Sequence, residues 1–265
     1  MGLAMEVQTF QVTAPGSSFL NMLPLTGDTG VIRYTNKKVK LAAAWQRRQV
    51  IGTTRIISPL LHDNVRGIEF SGAIGLDEPM MGAPYQSLQS QDTLTVNGTG
   101  SAVAGDIEQS CLLLRYDDLP GIQGNFIDSQ QLNRRFVNRF GVKVAMASAL
   151  ATGQYDGSVA INAAEDVFKA NTEYAILGLS IQNPCTLIGI KSPDWGNLRV
   201  GMPGVPLQGF RTGNYFVDLS DRMGAACIPV FNSANKLTTL LDFAHDENLL
   251  AINCHVILAE LRSGS

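Results

Sequence analysis

Short apolar runs separated by turn-forming residues recur along the whole chain. Val7 to Thr13 alternates apolar and polar positions and stops at Ala14-Pro15-Gly16. Val39 to Ala44, Gln49 to Ile57, Asn64 to Phe70 and Asp92 to Val96 read as further strands. Ile107 to Tyr116 is continuously apolar in its centre, the pattern of a strand buried on both faces. The second half continues with Val142 to Leu150, Tyr174 to Ile181, Thr186 to Ile190, Asn197 to Gly201, Ala226 to Phe231, Leu237 to Phe243 and Leu249 to Leu258. Strands this short and numerous predict an all-β sandwich or barrel.

Two stretches carry helical spacing. Asp128 or Ser129 can cap a helix in which Leu132, Phe136 and Phe140 recur every four residues. Tyr215, Leu219 and Met223 form one stripe over Tyr215 to Met223, with Gly224 as its stop. Two stretches, Leu76 to Gln91 and Gly201 to Gly213, are rich in Gly, Pro and Gln and read as long loops, the kind that often make functional contacts.

The two halves resemble each other. Ile56-Ile57-Ser58-Pro59 followed by Asn64-Val65-Arg66 returns about 130 residues later as Ile190-Lys191-Ser192-Pro193 followed by Asn197-Leu198-Arg199. Asn36 and Asn171 open a strand upstream of each Ser-Pro pair. Ser110-Cys111-Leu112 and Asn253-Cys254-His255 begin matching apolar runs, closed by Asp118-Leu119 and Glu260-Leu261. Proline cannot donate to a ladder, so each Ser-Pro pair ends a strand. The repeat predicts two similar β domains, 1–138 and 139–265.

Composition sharpens this. Only 16% of the 265 residues are charged against 45% apolar, where about a quarter charged is usual. Disorder is excluded, and burial of the flanks against other subunits would account for the low charge. The net charge is −3, which implies no general affinity for nucleic acid. No apolar run is long enough to span a membrane as a helix, and the first ten residues lack the pattern of a signal peptide, so the expected site of synthesis is the cytoplasm. Cys111, Cys185, Cys227 and Cys254 never form a CxxC spacing and read as buried thiols.

Catalytic chemistry is sparse. His62, His245 and His255 show no metal-ligand spacing, and the adjacent carboxylates Asp77-Glu78, Asp117-Asp118, Glu165-Asp166 and Asp246-Glu247 read as turn residues. No enzyme activity, cofactor, metal or small-molecule substrate is expected. Between Thr29 and His62, however, seven basic residues occur without an acidic one. Of these, Arg33, Lys37, Lys38, Lys40, Arg47 and Arg48 form a candidate inward-facing basic surface. Genome or internal membrane lipid would be its partner, and a solvated face is the plainer reading. Met80, Met81, Tyr85, Met202 and Phe210, in the two long segments, are candidate inter-subunit contacts.

Two tandem β domains, low charge, long Gly/Pro segments and no catalytic cluster resemble the double jelly-roll major capsid proteins of tailless icosahedral bacteriophages. The resemblance spans the chain at the level of length, repeat and strand census, without a diagnostic motif. It implies two tandem jelly-roll sandwiches with one or two short helices. It also implies a homotrimer of pseudo-hexagonal outline that tiles a virion shell and contacts neighbouring capsomers and other virion proteins such as a penton. Another virion component (decoration, spike or single-jelly-roll subunit) and a β-sandwich carbohydrate-binding module using Trp45 or Trp195 are the alternatives.

Overall fold

The computed structural model describes residues 2–34, 38–58, 67–72, 75–89, 94–119, 124–147, 153–181, 185–204, 212–244 and 251–262, with the side chains of all but 38, 75–86, 89 and 212. The first half contains β1 (Gly2–Thr13), β2 (Leu20–Pro24), β3 (Lys38–Arg48), β4 (Gly52–Ile57), β5 (Ile68–Gly72), β6 (Gly75–Gln89), β7 (Thr95–Gly98) and β8 (Ile107–Leu119). The two-residue β9 (Phe126–Ile127) and the helix α1 (Ser129–Arg135) follow. The second half contains β10 (Phe136–Met146), β11 (Tyr155–Ala160), β12 (Glu173–Ile181), β13 (Cys185–Lys191), β14 (Arg199–Gly204), the helix α2 (Tyr215–Met223), β15 (Ile228–Asn232), β16 (Leu240–Ala244) and β17 (Ile252–Leu261).

Pairing follows one rule in both halves. The strands nest as a long antiparallel hairpin: β1 with β8, β2 with β7, β3 with β6, β4 with β5. The second half repeats it as β10 with β17, β11 with β16, β12 with β15, β13 with β14. Each nested ribbon then rolls up, joining β3 to β8 and β4 to β7, and likewise β12 to β17 and β13 to β16. The order is that of a jelly roll, written twice. In the first roll a short pairing of β1 with β2 joins all eight strands into one curled sheet. In the second the sheets stay separate, β10-β17-β12-β15-β9 and β11-β16-β13-β14.

The sequence repeat superimposes like on like. Ser58 follows β4 and Ser192 follows β13, while Cys111 and Cys254 lie in the last strands, β8 and β17. Sheet membership changes between 119 and 126, and the 138/139 division expected from the repeat falls within β10.

Two cores result. Ala4, Phe10, Val39, Leu41, Ile56, Val96, Leu112, Leu114 and Tyr116 fill the first roll. Met5, Val7, Ala43, Trp45, Cys111 and Leu113, on the opposite side of β1, β3 and β8, belong instead to the core of the second. These three strands are therefore covered on both faces, which is why β8 is buried from Ile107 to Tyr116 and why its sequence does not alternate. The close approach needs a glycine: a Cβ on Gly201 of β14 would stand 2.7 Å from Val7 Cγ1 and 2.4 Å from Leu187 Cδ1. The Trp45 indole N–H donates to the Thr186 carbonyl at 3.0 Å across the same boundary.

Three expectations change. The predicted helix past Ser129 stops at Arg135, and Phe136 and Phe140 lie in β10. A capping box between Asp128 and Gln131 starts the helix. The alternation of Val142, Val144 and Met146, buried against β17, then outweighs the four-residue spacing of the aromatics. The predicted loop at 76–91 is mostly the edge strand β6, paired with β3. Pro79 and Pro84 fall where the β3–β6 register shifts, so neither displaces a ladder hydrogen bond. Of the second loop, 201–204 belongs to β14, 205–211 lies outside the described residues, and 212–214 is a 3-10 turn. By contrast α2 spans the predicted stripe and ends at Gly224 with φ +60°.

Candidate functional site

The basic stretch does not form one free surface. Arg33 Nε lies 2.6 Å from Glu6 Oε2, Lys40 Nζ 2.8 Å from Asp117 Oδ2, and Arg55 Nη2 2.6 Å from Glu69 Oε1. Arg48 corrects its assignment to a surface: it is 1% exposed. Its guanidinium donates to the Thr99 carbonyl at 2.9 Å and, at 2.5 Å each, to Gln46 Oε1 and Thr54 Oγ1. It pins the turn before β4 to the one after β7, because a buried guanidinium must find acceptors for its donors. Arg47 is half-buried on β3 and has partners of its own. Lys38 begins β3, and Lys37 lies outside the described residues.

The contact candidates also divide. Met202 is 1% exposed in β14, a strand buried along its whole length, so it is a core side chain rather than a loop tip. Met80, Met81 and Tyr85 lie along β6, Met80 opposite Ala44 and Met81 opposite Ala43. Phe210 lies outside the described residues. Trp45 and Trp195 are both fully buried, so neither offers the exposed aromatic face expected of a sugar-binding platform.

At the boundary between the rolls the structure assembles an ionic node with little trace in the local sequence pattern. Arg199 on β14 places Nη1 3.0 Å from Asp28 Oδ1 in the first half, and Nε 3.0 Å from Asp242 Oδ1 on β16. Lys191 Nζ stands 3.1 Å from Asp242 Oδ2. The Arg199 guanidinium stacks 3.3 Å from the Tyr155 ring centre. Tyr155 donates its hydroxyl hydrogen to Asp28 Oδ2 at 2.5 Å, and the Thr9 backbone N–H donates to the same oxygen at 2.8 Å. Burial pushes the Asp28 carboxyl up to about 6, against the pull of Arg199, Tyr155 and Thr9. A polar cleft of about 340 Å³ opens beside it, lined among others by Glu6, Asp28, Arg33, Lys191 and Arg199. Arg199 belongs to the quoted repeat, but no local feature distinguishes Asp28, Tyr155 or Asp242, which meet through three separate parts of the chain.

Reactive groups are buried. All four cysteines are free and buried, and desolvation pushes the Cys227 and Cys254 thiols up to about 12. Among the described residues no group of three or more His, Cys, Asp or Glu comes together as a metal site. Also among them, no helix is long and apolar enough to cross a membrane. His255 is exposed on β17, and His62 and His245 lie outside the described residues.

No family model matches the chain, and no curated protein matches it. Among solved structures, the crystal structure of PBSX exported protein XepA aligns over 97% of this chain and 86% of its own at 11% identity. The TM-score is 0.22, a likeness too loose to carry an argument about fold or function.

Proposed function

We propose that this chain is a shell-forming virion protein, the major capsid subunit of an icosahedral particle. The observation that carries the reading is the same jelly-roll order occurring twice in one chain, with the two rolls fastened by a shared apolar layer and a buried ionic node. Three copies of a rigid two-roll subunit give a ring of six similar units, which tiles a surface as a hexagon does. Side chains such as Leu23, Ile51, Val103 and Leu237, each 64–76% exposed, are the kind that neighbouring subunits cover in a closed shell. The role is structural rather than catalytic, the location is the virion, and the partners are copies of the chain and other shell proteins.

Electron microscopy and mass measurement of the purified protein test this. The expected particle is a trimer of three times 28.5 kDa, with hexagonal outlines or closed shells at high concentration. A monomer at micromolar concentration that forms no lattice overturns the reading. A trimer present in only a few copies per particle points to a minor virion component instead.

A further inference from the structure

The outer face of β10, β17 and β12 is the counterpart of the face that β1, β8 and β3 bury beneath the second roll. Part of it is open. Lys143 stands opposite His255, and His255 opposite Ser180, so the three form one row across three strands. Directly opposed residues project to the same side, and all three are exposed. In the next row Gly141 and Gly178 flank Ile257, leaving no side chain on either side of it. A Cβ on Gly141 would stand 3.5 Å from both His255 Cβ and Ile257 Cδ1. The hollow here has a volume of about 390 Å³ and is lined by Lys143, Ser180, Ile181, Asn253, Cys254 and His255.

Its formal charge is one-sided. The lining holds hydrogen-bond donors and no carboxylate. Among the described residues the Lys143 ammonium, the His255 ring and the Ser180 hydroxyl have no hydrogen-bond or ion-pair partner. Glu165, the carboxylate that touches this strand, accepts the backbone N–H of Lys143 at 2.9 Å. Two rows away on the same face, Arg139 donates from Nη2 to the Gly213 carbonyl at 3.0 Å and holds the 212–214 turn against the sheet. Nitrogen donors directly opposed across a ladder gain most from an anion placed between them.

We propose that this hollow binds a phosphate-type oxyanion, with Lys143 as the charged donor, His255 donating through a ring N–H, and Ser180 and Asn253 donating from their hydroxyl and amide. The hollow is larger than a bare phosphate and leaves room for the group that carries it.

The test uses the full chain, with inorganic phosphate as the probe and chloride at equal ionic strength as the control. Histidine ring signals are followed by NMR, and the His255 signal is assigned by its loss in His255→Asn. The expected result is a saturable phosphate-dependent shift confined to His255, weakened about tenfold in Lys143→Gln and also weakened in Ser180→Ala, with unchanged melting temperatures because all three side chains are exposed. Flotation with phosphatidylglycerol vesicles separates the sources: vesicle binding competed by phosphate assigns a lipid headgroup, and no vesicle binding assigns a free phosphate compound. The absence of a saturable shift, or equal affinity in Lys143→Gln, overturns the proposal. In a ring of six similar units the next subunit's first roll would approach this face, so the sample mass is measured alongside: the mass decides the capsid reading, and the shift decides this proposal.

Discussion

The two rolls share a strand order and differ in what fills them. The first keeps a polar cluster inside. Glu6, 2% exposed, accepts hydrogen bonds from the Tyr116 hydroxyl and from Gln8 Nε2 at 3.2 Å, and pairs with Arg33. Burial pushes the Tyr116 hydroxyl well above its ordinary range, so it remains a donor to the carboxylate. The second roll is filled by aromatic rings. Tyr174 packs with Phe140, Phe168 and Phe231 at centroid distances of 5.7, 5.1 and 5.8 Å. One topology thus tolerates either filling, because the nested pairing needs only alternate burial along each strand and closure of the ribbon. Each filling nevertheless has its own point of failure.

The aromatic core has the larger one. Phe231→Ala, at a fully buried position, is expected to cost about 3–5 kcal/mol, read as a lowered denaturation midpoint in urea. A loss below about 1 kcal/mol would mean that the cluster collapses around the gap and is not what holds the second roll.

The boundary comes next. The folded pKa of Asp28, about 6, lies above the ordinary 3.8. Its contribution to stability is therefore full below pH 4 and is lost as pH rises through 6, by up to about 3 kcal/mol. The melting temperature of the wild type should therefore fall relative to that of Asp28→Asn as pH rises from 4 to 7. Parallel curves would show that the node does not titrate there.

The polar core is expected to be less sensitive. Glu6→Ala strands the Tyr116 hydroxyl and one Gln8 amide hydrogen, Gln8 Nε2 still donating to the Val31 carbonyl at 2.9 Å, while Arg33, whose side chain is 38% exposed, turns to water. The cost is about 2 kcal/mol, with a smaller loss for Glu6→Gln, by denaturation of both variants. A Glu6→Ala loss exceeding that of Phe231→Ala would invert the comparison. The smallest effect belongs to α2, which lies between β14 and β15, where the first roll has only the short β5–β6 connection. Gly224→Ala, at φ +60° with open space around it, should cost about 1 kcal/mol through backbone strain alone, read from the thermal midpoint.

Legibility in the sequence followed the range of the interaction. The doubly buried β8 was visible as an unbroken apolar run, and α2 as a stripe with a glycine stop. The repeated Ser-Pro and Cys landmarks aligned strands that the topology matches. The basic stretch misled because its partners Glu6, Asp117 and Glu69 arrive from other strands. The segment 76–91 looked like a loop because its prolines and glycines weaken strand propensity, and pairing with β3 overrides that. The Lys143–His255–Ser180 row was invisible for the same reason: each member is an ordinary polar residue until three distant strands come into register.

What the amino-acid order determined by itself was the all-β class, many of the strands, the helix α2 and the landmarks of the tandem repeat, since these follow from periodicity and turn chemistry within a few residues. Tertiary structure alone decided which outer face of a roll is covered and which is left open. It also decided which cations are neutralised, and that Asp28, Tyr155, Arg199 and Asp242 meet. Those outcomes depend on where the rolled ribbon brings distant segments together, and no local pattern encodes that distance.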